Sequence, residues 1–449
     1  MGKTYRLDVP GVGRVKYTKI GDLTAAELND ALASKSISYT TKEGKLIQES
    51  HFQFFNENSA AASANASFIP EKGATNGVDL YKVSYKIPYK RNRDPLTNKR
   101  MRDPVTGLLA IPSGRTSTTM PLLSWQHGTV MSANEAPSGI MINDEFQRTP
   151  PGSTVVGQIR STETLFNLVR LAGNGYVMAA ADYNGNGDST TAQYYAVKQP
   201  TIKATRGMIS AAKGILSKIG IKTDGLFLNG WSQGGLNTLW LAESLRKSGI
   251  TVTKQASSST FSDLVKNADY WFNTFNGDPN WVTSAIPMLL AAYESYYNLK
   301  GLMKEAIKPE YLPIALAIQK GTIDWDKVPP PNKGEGLLGL PLTGKELLNE
   351  KFLNDYNNKR GRFYTKFKLN TGVMEEKYSH PTRFYGGGKD TAVAPGVSVE
   401  EPTAYFAPMS EGIHIGPDAT HRSTFAGSLF GSALDPGNDI GSWFGSPSL

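Results

Sequence analysis

Residues 224–245, with the sequence DGLFLNGWSQGGLNTLWLAESL, place a serine between two glycines at the end of an apolar run. The apolar run predicts a strand that ends at Trp231, and the amphipathic segment after it predicts a helix. A serine on such a turn is held in a strained backbone conformation and needs small residues two positions away on either side, which Gly230 and Gly234 provide. A Gly-x-Ser-x-Gly match alone is weak evidence. The strand-to-helix context therefore carries the prediction that Ser232 is a nucleophile rather than part of a plain glycine turn.

A serine hydroxyl needs a general base, and that base needs an orienting carboxylate. At a nucleophile elbow of this kind the acid follows the serine in the chain, and the histidine follows the acid. The sequence contains five histidines, and only His414 and His421 follow the acid predicted below. We predict His421 as the base, because DATHRSTF places it in a loop just before a helical segment. His414, in the apolar context GIHIG, is the alternative.

The acid of this triad is predicted to be Asp390. The segment TRFYGGGKDTAVAP is typical of a strand followed by a glycine turn, which would deliver Asp390 to the carboxyl edge of a sheet. Asp418 is the rival, but it lies three residues from His421, an awkward reach for a triad acid. An ordinary loop aspartate is the other interpretation of Asp390.

Acyl transfer also requires hydrogen-bond donors for the oxyanion. The backbone N–H of Gln233, directly after the nucleophile, is one predicted donor. The second is predicted from the loop after LLSWQ, at Thr129, with Gly128 permitting close approach. We expect His127 to pin this loop as a structural histidine. His127, Gly128 and Trp231 are also predicted to border the substrate.

The order of elements indicates how these residues are positioned. Strand-like and helix-like segments alternate through residues 76–260, which predicts a mostly parallel sheet with helices on both faces. Residues 261–375 are aromatic and helix-prone, and we interpret them as an inserted helical cap over the carboxyl edge of the sheet. The strand-then-loop pattern resumes in residues 376–449. Residues 1–75 are predicted to be an N-terminal extension, with NSAAASANAS as a flexible linker.

Several motifs together resemble a serine α/β-hydrolase: SWQHGT, GYVMAAADYNGNGDS, NGWSQGG, FYGGGKDTAVAP and THRS. The stretch GWSQGGLNTLWLAESL, followed by a strand and ASSSTFSDL, is similar to the secretory lipase and esterase branch. The resemblance covers roughly residues 76–445 and implies the α/β-hydrolase fold with an inserted helical cap, or lid. Carried over by position, it implies Ser232 as nucleophile, Asp390 as acid and His421 as base. Residues 1–75 match nothing in that family, and the cap shares position and helical character but no motif.

The predicted cap is rich in aromatic residues, in YWFNTFNGDPNW and YESYYNL. Aromatic residues at this density form a core more often than a binding surface. Above a serine site some of them can instead line an apolar acyl pocket. We predict Trp271 and Phe272 to contact the substrate.

Composition and charge exclude several function classes. The chain has no cysteine, which removes disulfides, thiolate catalysis and cysteine-ligated metals. A net charge of +8 over 449 residues is moderate, and we see no nucleic-acid-binding motif. The basic cluster YKRNRDPLTNKRMRDP is interpreted as a solvated hairpin, with binding to an acidic partner surface as the alternative.

The segment DYNGNGD, from Asp182 to Asp188, resembles the start of a calcium-binding loop. It has Gln193 instead of glutamate at the twelfth position, so we predict no calcium site there.

The apolar stretches are too short to span a membrane, and the first thirteen residues contain no apolar region of a signal peptide. We therefore expect the mature form of a secreted or periplasmic protein. The predicted activity is hydrolysis of carboxylic esters, either small hydrophobic esters or polyesters, without a metal or organic cofactor. Contact with a lipid or polymer surface is expected to be transient. A peptidase or amidase with the same triad, and a non-catalytic binding protein of the same fold, are the alternatives.

Overall fold

The computed structural model describes residues 3–34, 36–40, 46–50, 72–93, 100–115, 117–131, 135–140, 161–189, 191–319, 323, 334–371, 377–431 and 437–445. The predicted linker, residues 58–67, and the tip of the basic hairpin, residues 94–99, lie outside the described residues. A ten-stranded mixed sheet organises the chain. Its strands are β1 (Thr4–Val9), β2 (Gly13–Leu23), β5 (Val78–Arg93), β6 (Arg100–Pro112), β7 (Thr119–Gln126), β8 (Val177–Ala181), β9 (Lys222–Trp231), β10 (Lys254–Ser258), β11 (Thr382–Gly386) and β12 (Ser410–His414). A separate hairpin is formed by β3 (Ser36–Thr40) and β4 (Leu46–Ser50).

The strands follow the order β1-β2-β5-β6-β8-β7-β9-β10-β11-β12 across the main sheet. The first four in this order, β1, β2, β5 and β6, pair antiparallel, and β6 also pairs antiparallel with β8; β8, β7, β9, β10, β11 and β12 run parallel to one another. Every residue of β8, Val177–Ala181, is buried, as expected for a parallel strand that is covered on both faces. Parallel strands end at one edge of the sheet, so the loops after β7, β9 and β11 converge there.

Helices cover both faces, which confirms the predicted fold class. One face carries α3 (Lys198–Lys218) and α4 (Gln233–Arg246); the other carries α1 (Ala25–Ser34), α2 (Thr162–Arg170), α13 (His421–Phe430) and α14 (Ile440–Phe444). The remaining helix of the C-terminal part is α12 (Glu400–Phe406). Each face buries its own apolar cluster against the sheet, and burial of this surface is the main source of stability in such layered folds.

The N-terminal segment differs from the predicted extension. Strands β1 and β2 join the main sheet through β5, and Leu28 and Leu32 of α1 are buried in the core that α2 also lines. Lys72 donates to the buried carboxylate of Asp439 at 2.8 Å. The described part of residues 1–75 is therefore built into the sheet and its core, so residue 75 does not separate an appendage from the core.

Between residues 261 and 371 the described chain is helical and contributes no strand to the main sheet. Its helices are α5 (Leu264–Asp269), a π-helical turn (Tyr270–Thr274), α6 (Ala285–Tyr297), α7 (Leu302–Ala306), α8 (Leu312–Gln319), α9 (Gly344–Leu347), α10 (Glu350–Asn357) and α11 (Gly361–Phe367). These helices, which we call the cap, contact the loop after β11: Trp271 Nε1–H donates to the Ala392 carbonyl at 2.7 Å. No helix within the described ranges is long and apolar enough to cross a membrane.

Candidate active site

Ser232 occupies a sharp turn between β9 and α4. Its backbone has φ 56° and ψ −121°, a conformation that a residue with a side chain rarely adopts. Its N–H donates to the Ser258 carbonyl on the adjacent strand at 2.9 Å, which holds the turn against the sheet. A Cβ on Gly234 would lie 1.9 Å from the Gln126 carbonyl, and one on Gly230 would lie 2.2 Å from the Gly234 carbonyl. Both flanking positions therefore require glycine, as the sequence pattern predicts.

Ser232, His421 and Asp390 form one hydrogen-bonded chain. Ser232 Oγ lies 2.9 Å from His421 Nε2, and His421 Nδ1 lies 2.9 and 3.0 Å from the two carboxylate oxygens of Asp390. An ionised carboxylate only accepts hydrogen bonds, so it places the imidazole proton on Nδ1. Nε2 is then free to accept the proton of the Ser232 hydroxyl.

The acid and the base are held by the loops that carry them. The Ala392 N–H donates to Asp390 Oδ1 at 3.2 Å, which orients the carboxylate after β11. His421 is the first residue of α13, where Thr420 and Ser423 form a capping box, and Trp231 Nε1–H donates to the His421 carbonyl at 3.2 Å. The helix start and the strand end next to the nucleophile thus fix the backbone of the base.

The triad is enclosed. Ser232 is 7 % exposed, and the side chains of His421 and Asp390 are 4 % and 3 % exposed. The imidazole lies between two indole rings, with centroid distances of 5.1 Å to Trp231 and 5.5 Å to Trp281 of the cap. Apolar rings around the base exclude water and strengthen the electrostatic interactions inside the site.

The loop after β7, residues 127–131, lies against the nucleophile turn, as the contact between Gly234 and Gln126 requires. Thr129 Oγ1 donates to Tyr195 Oη at 3.1 Å. Among the groups that the structure describes, the backbone N–H of Thr129 and that of Gln233 have no hydrogen-bond partner. Gln233 directly follows Ser232, and Thr129 lies in the loop that contacts this turn, so both N–H groups are candidates to bind an oxyanion.

Solved structures with the same arrangement of elements come from several organisms. A protein from Legionella pneumophila, provisionally described as a hydrolase, is 18 % identical with a TM-score of 0.68; the match covers 92 % of this chain and 94 % of that one. The rice cell wall degrading esterase LipA from Xanthomonas oryzae is 18 % identical, with a TM-score of 0.62 and coverage of 92 % and 93 %. Lipase A from Candida antarctica in its closed state is 14 % identical, with a TM-score of 0.52 and coverage of 93 % and 87 %. The chain has the α/β-hydrolase fold. No protein-family model matches the sequence, and the comparison with curated proteins finds no match.

In this α/β-hydrolase fold the rival triad residues lie apart from the nucleophile. The His414 side chain is 62 % exposed and lies 3.8 Å from Glu400. Asp418 is also exposed, and its carboxylate pairs with Lys389 at 2.5 Å. Neither residue contacts Ser232 or His421, so only the preferred candidates are brought together.

His127 does not offer a ring nitrogen to a substrate, contrary to its predicted place at the substrate. It is fully buried, and its two ring nitrogens lie 2.8 Å from the Gly128 carbonyl and 3.3 Å from the Asp182 carbonyl. The ring stacks on Tyr183 at 4.1 Å, and burial lowers the His127 pKa to about 4. The neutral ring has a single N–H and donates to only one of these two carbonyls. Its complete burial and this contact support the predicted structural role instead, that of pinning the loop after β7.

The two cap residues predicted to contact the substrate pack into the protein. Phe272 is fully buried and contacts the rings of Phe352, Tyr356 and Phe363 in the aromatic core of the cap. Trp271 is 4 % exposed; its ring lies 5.8 Å from that of Phe261 in a tilted arrangement, and its Nε1–H donates to the Ala392 carbonyl. Both rings are therefore engaged in packing contacts, and contact with a substrate stays a prediction for each of them.

Trp281 is the cap residue that reaches the base, and it belongs to the aromatic set that the sequence shows in YWFNTFNGDPNW. Trp231 stacks on Phe425 at 4.7 Å, so its ring packs between Phe425 and the base rather than lining an open pocket.

The carboxylate of the calcium-like loop is engaged in hydrogen bonds within the protein. Asp182 accepts from the Ser138 and Thr106 hydroxyls, both at 2.5 Å. No group of metal-ligating side chains is found within the described ranges.

Proposed function

We propose that the protein is a serine carboxylic-ester hydrolase of the lipase or esterase type, acting through an acyl-enzyme. The observation that carries this proposal is the unbroken chain from Ser232 through His421 to Asp390, with contacts of 2.9 to 3.0 Å. The esterase and the lipase of the same fold support this reaction class. The base, the acid and the nucleophile that acyl transfer needs are thus joined by hydrogen bonds in one site.

The geometry supports a two-step reaction. His421 Nε2 takes the Ser232 proton as the oxygen attacks the ester carbonyl, and Asp390 stabilises the imidazolium that forms. The N–H groups of Gln233 and Thr129 donate to the oxyanion of the tetrahedral intermediate. The intermediate collapses as His421 returns the proton to the leaving alcohol. Water then attacks the acyl-enzyme by the same route and releases the carboxylic acid.

The walls of the site favour esters with an apolar acyl or alcohol part. Trp231 and Trp281 flank the base, and burial of apolar substrate groups against such rings is favourable by roughly 25 cal/mol per Å². Because the nucleophile is enclosed, we infer that the cap segment around Trp281 moves before a substrate enters. Small hydrophobic esters and polyester chain ends both fit this chemistry.

The proposal is tested by labelling with a fluorophosphonate probe, followed by mass spectrometry of the modified peptide. We expect a single adduct on Ser232, none in Ser232→Ala, and normal labelling of Ser257→Ala. Ser257 is an equally buried serine on the neighbouring strand and serves as the matched control. An adduct elsewhere, or none on the folded wild type, would contradict the assignment of the nucleophile.

A matched ester and amide separate the esterase from an amidase. We expect p-nitrophenyl butyrate to be turned over much faster than p-nitrobutyranilide, because an ester carbonyl is more electrophilic than an amide carbonyl and an esterase site is not adapted to protonate a leaving amine. Equal or greater turnover of the anilide would favour the amidase instead.

A further inference from the structure

The loop that carries Thr129 is held from both ends by glutamate side chains. The Gly128 N–H donates to Glu163 Oε2 at 2.6 Å, and the Met131 N–H donates to Glu135 Oε2 at 3.0 Å. Between them, the Val130 carbonyl accepts from Gln193 Nε2 at 3.0 Å. Side chains therefore bind the backbone on both sides of Thr129 while leaving its own N–H available.

The contact between Glu163 and Gly128 is tightly packed. Glu163 lies in the first turn of α2 and is mostly buried. A Cβ on Gly128 would approach the two carboxylate oxygens of Glu163 at 3.0 and 3.1 Å, and the Trp231 ring at 2.9 Å. Only glycine lets the loop backbone come this close to both, so the direction of the next peptide depends on where Glu163 holds it.

We propose that Glu163 is a positioning residue for acyl transfer, which accepts the Gly128 N–H and thereby aims the neighbouring Thr129 N–H at the oxyanion formed on Ser232. This inference rests on the proposed function. The two N–H groups belong to adjacent planar peptide units that are joined through the φ and ψ angles of Gly128. The close packing of Gly128 against Glu163 and Trp231 holds that residue in place, and so sets the direction of the Thr129 N–H. Loss of an aimed oxyanion donor costs about 10²- to 10³-fold in kcat, and a misdirected donor costs less.

The hydrogen bond from the Gly128 N–H depends on the length of the side chain at position 163 rather than on its charge. Burial raises the pKa of Glu163, while the Gly128 N–H and Arg422 act in the opposite direction and Glu135 adds to the rise. A neutral side chain of the same length can accept the Gly128 N–H equally well. Glu163→Gln keeps that length, Glu163→Asp keeps the carboxyl group but is one methylene shorter, and Glu163→Leu has no acceptor.

The experiment is to measure kcat and KM of these three variants with a water-soluble p-nitrophenyl ester. We expect Glu163→Gln to stay within about twofold of wild-type kcat. Glu163→Asp and Glu163→Leu should lose about 10- to 100-fold in kcat, with KM changed by less than about threefold. Glu294→Leu is the matched control, since Glu294 also accepts a backbone N–H, from Met303 in the first turn of α7 at 2.7 Å, but in the cap. That control should lose thermal stability and keep kcat.

The outcomes are decisive in either direction. Wild-type kcat in folded Glu163→Leu, or a smaller loss in Glu163→Asp than in Glu163→Gln, would overturn the proposal. If Glu163→Leu does not fold, the order of the Asp and Gln variants decides alone. Failure of the proposed function itself would look different, because the wild-type protein would then neither hydrolyse the ester nor react with the fluorophosphonate.

Discussion

Backbone strain at Ser232 can be measured by comparing two inactive variants. Ser232→Ala and Ser232→Gly both lose the hydroxyl and its bond to His421, so they differ only in the Cβ atom. At φ 56° and ψ −121° that Cβ is unfavourable, and a residue held in such a region costs about 1–3 kcal/mol. Glycine occupies the region without that cost.

The expected difference follows from two opposing effects. Strain relief of about 2 kcal/mol favours Ser232→Gly, and the greater freedom of glycine in the unfolded chain opposes it by about 0.4–1 kcal/mol. Ser232→Gly should therefore have the greater free energy of unfolding, by about 1 kcal/mol. With an unfolding entropy near 2.1 cal/mol/K per residue, a chain of this length gains about 1 °C in Tm for each 1 kcal/mol.

Differential scanning calorimetry of four variants provides the test. Lys213 lies exposed in the middle of α3, where helical geometry makes glycine about 1 kcal/mol less stable than alanine. The glycine variant should therefore melt about 1 °C lower than the alanine variant at position 213, and about 1 °C higher at position 232. If glycine lowers Tm equally at both positions, the nucleophile turn is not strained and the reasoning fails.

Three further predictions concern the triad and the cap. Asp390→Asn should lower kcat by about 10⁴-fold, because an amide that donates to His421 Nδ1 leaves the proton on Nε2; a loss under tenfold in steady-state assays would contradict this. His421→Ala should abolish turnover, whereas His414→Ala should keep it, since His414 is exposed and distant; the reverse result would reassign the base. Phe272→Ala should lower the free energy of unfolding by about 3–5 kcal/mol while the folded fraction keeps its kcat, and a selective rise in KM without loss of stability would restore Phe272 to the substrate site.

Much of this architecture could be predicted because its signals are local. Buried strands such as VMAAA and GLFLNGW are short apolar runs bounded by turn residues, and Gly230 is required by contacts with Gly234 and Thr238 a few residues away. Asp390 and His421 follow from chain order once Ser232 is chosen. The fold class is confirmed, and the triad candidates are brought into contact.

The N-terminal strands were missed because their place depends on pairing distant in sequence. TYRLDV alternates only briefly, and its partner β2 reaches the sheet through β5, some sixty residues later. A period-2 pattern of six residues does not say which sheet it joins. The same holds for helix α1, because its buried residues contact α2, which lies far along the chain.

Within the cap, the density of aromatic residues indicates a core but does not say which rings pack together. Phe272 contacts Phe352 and Tyr356, which lie far along the chain, and Trp281 of the same aromatic set lies 5.5 Å from the His421 ring. Glu163 carries no motif at all, since its role depends on Gly128, which lies 35 residues away in the chain.

Departures from ordinary residue preference concentrate around one turn of this molecule. Ser232 has a strained backbone, His127 is buried in its neutral form, and Glu163 is mostly buried with a backbone N–H as its partner. Each of these is unfavourable by itself, and each is tolerated because the sheet and the helices around it are well packed. Strain and buried polarity that gather at a single site are what a pre-organised reaction centre requires. Substitutions that relieve them should therefore raise stability or leave it unchanged while they lower activity. Substitutions in the aromatic core of the cap should instead lower stability and leave the activity of the folded protein unchanged.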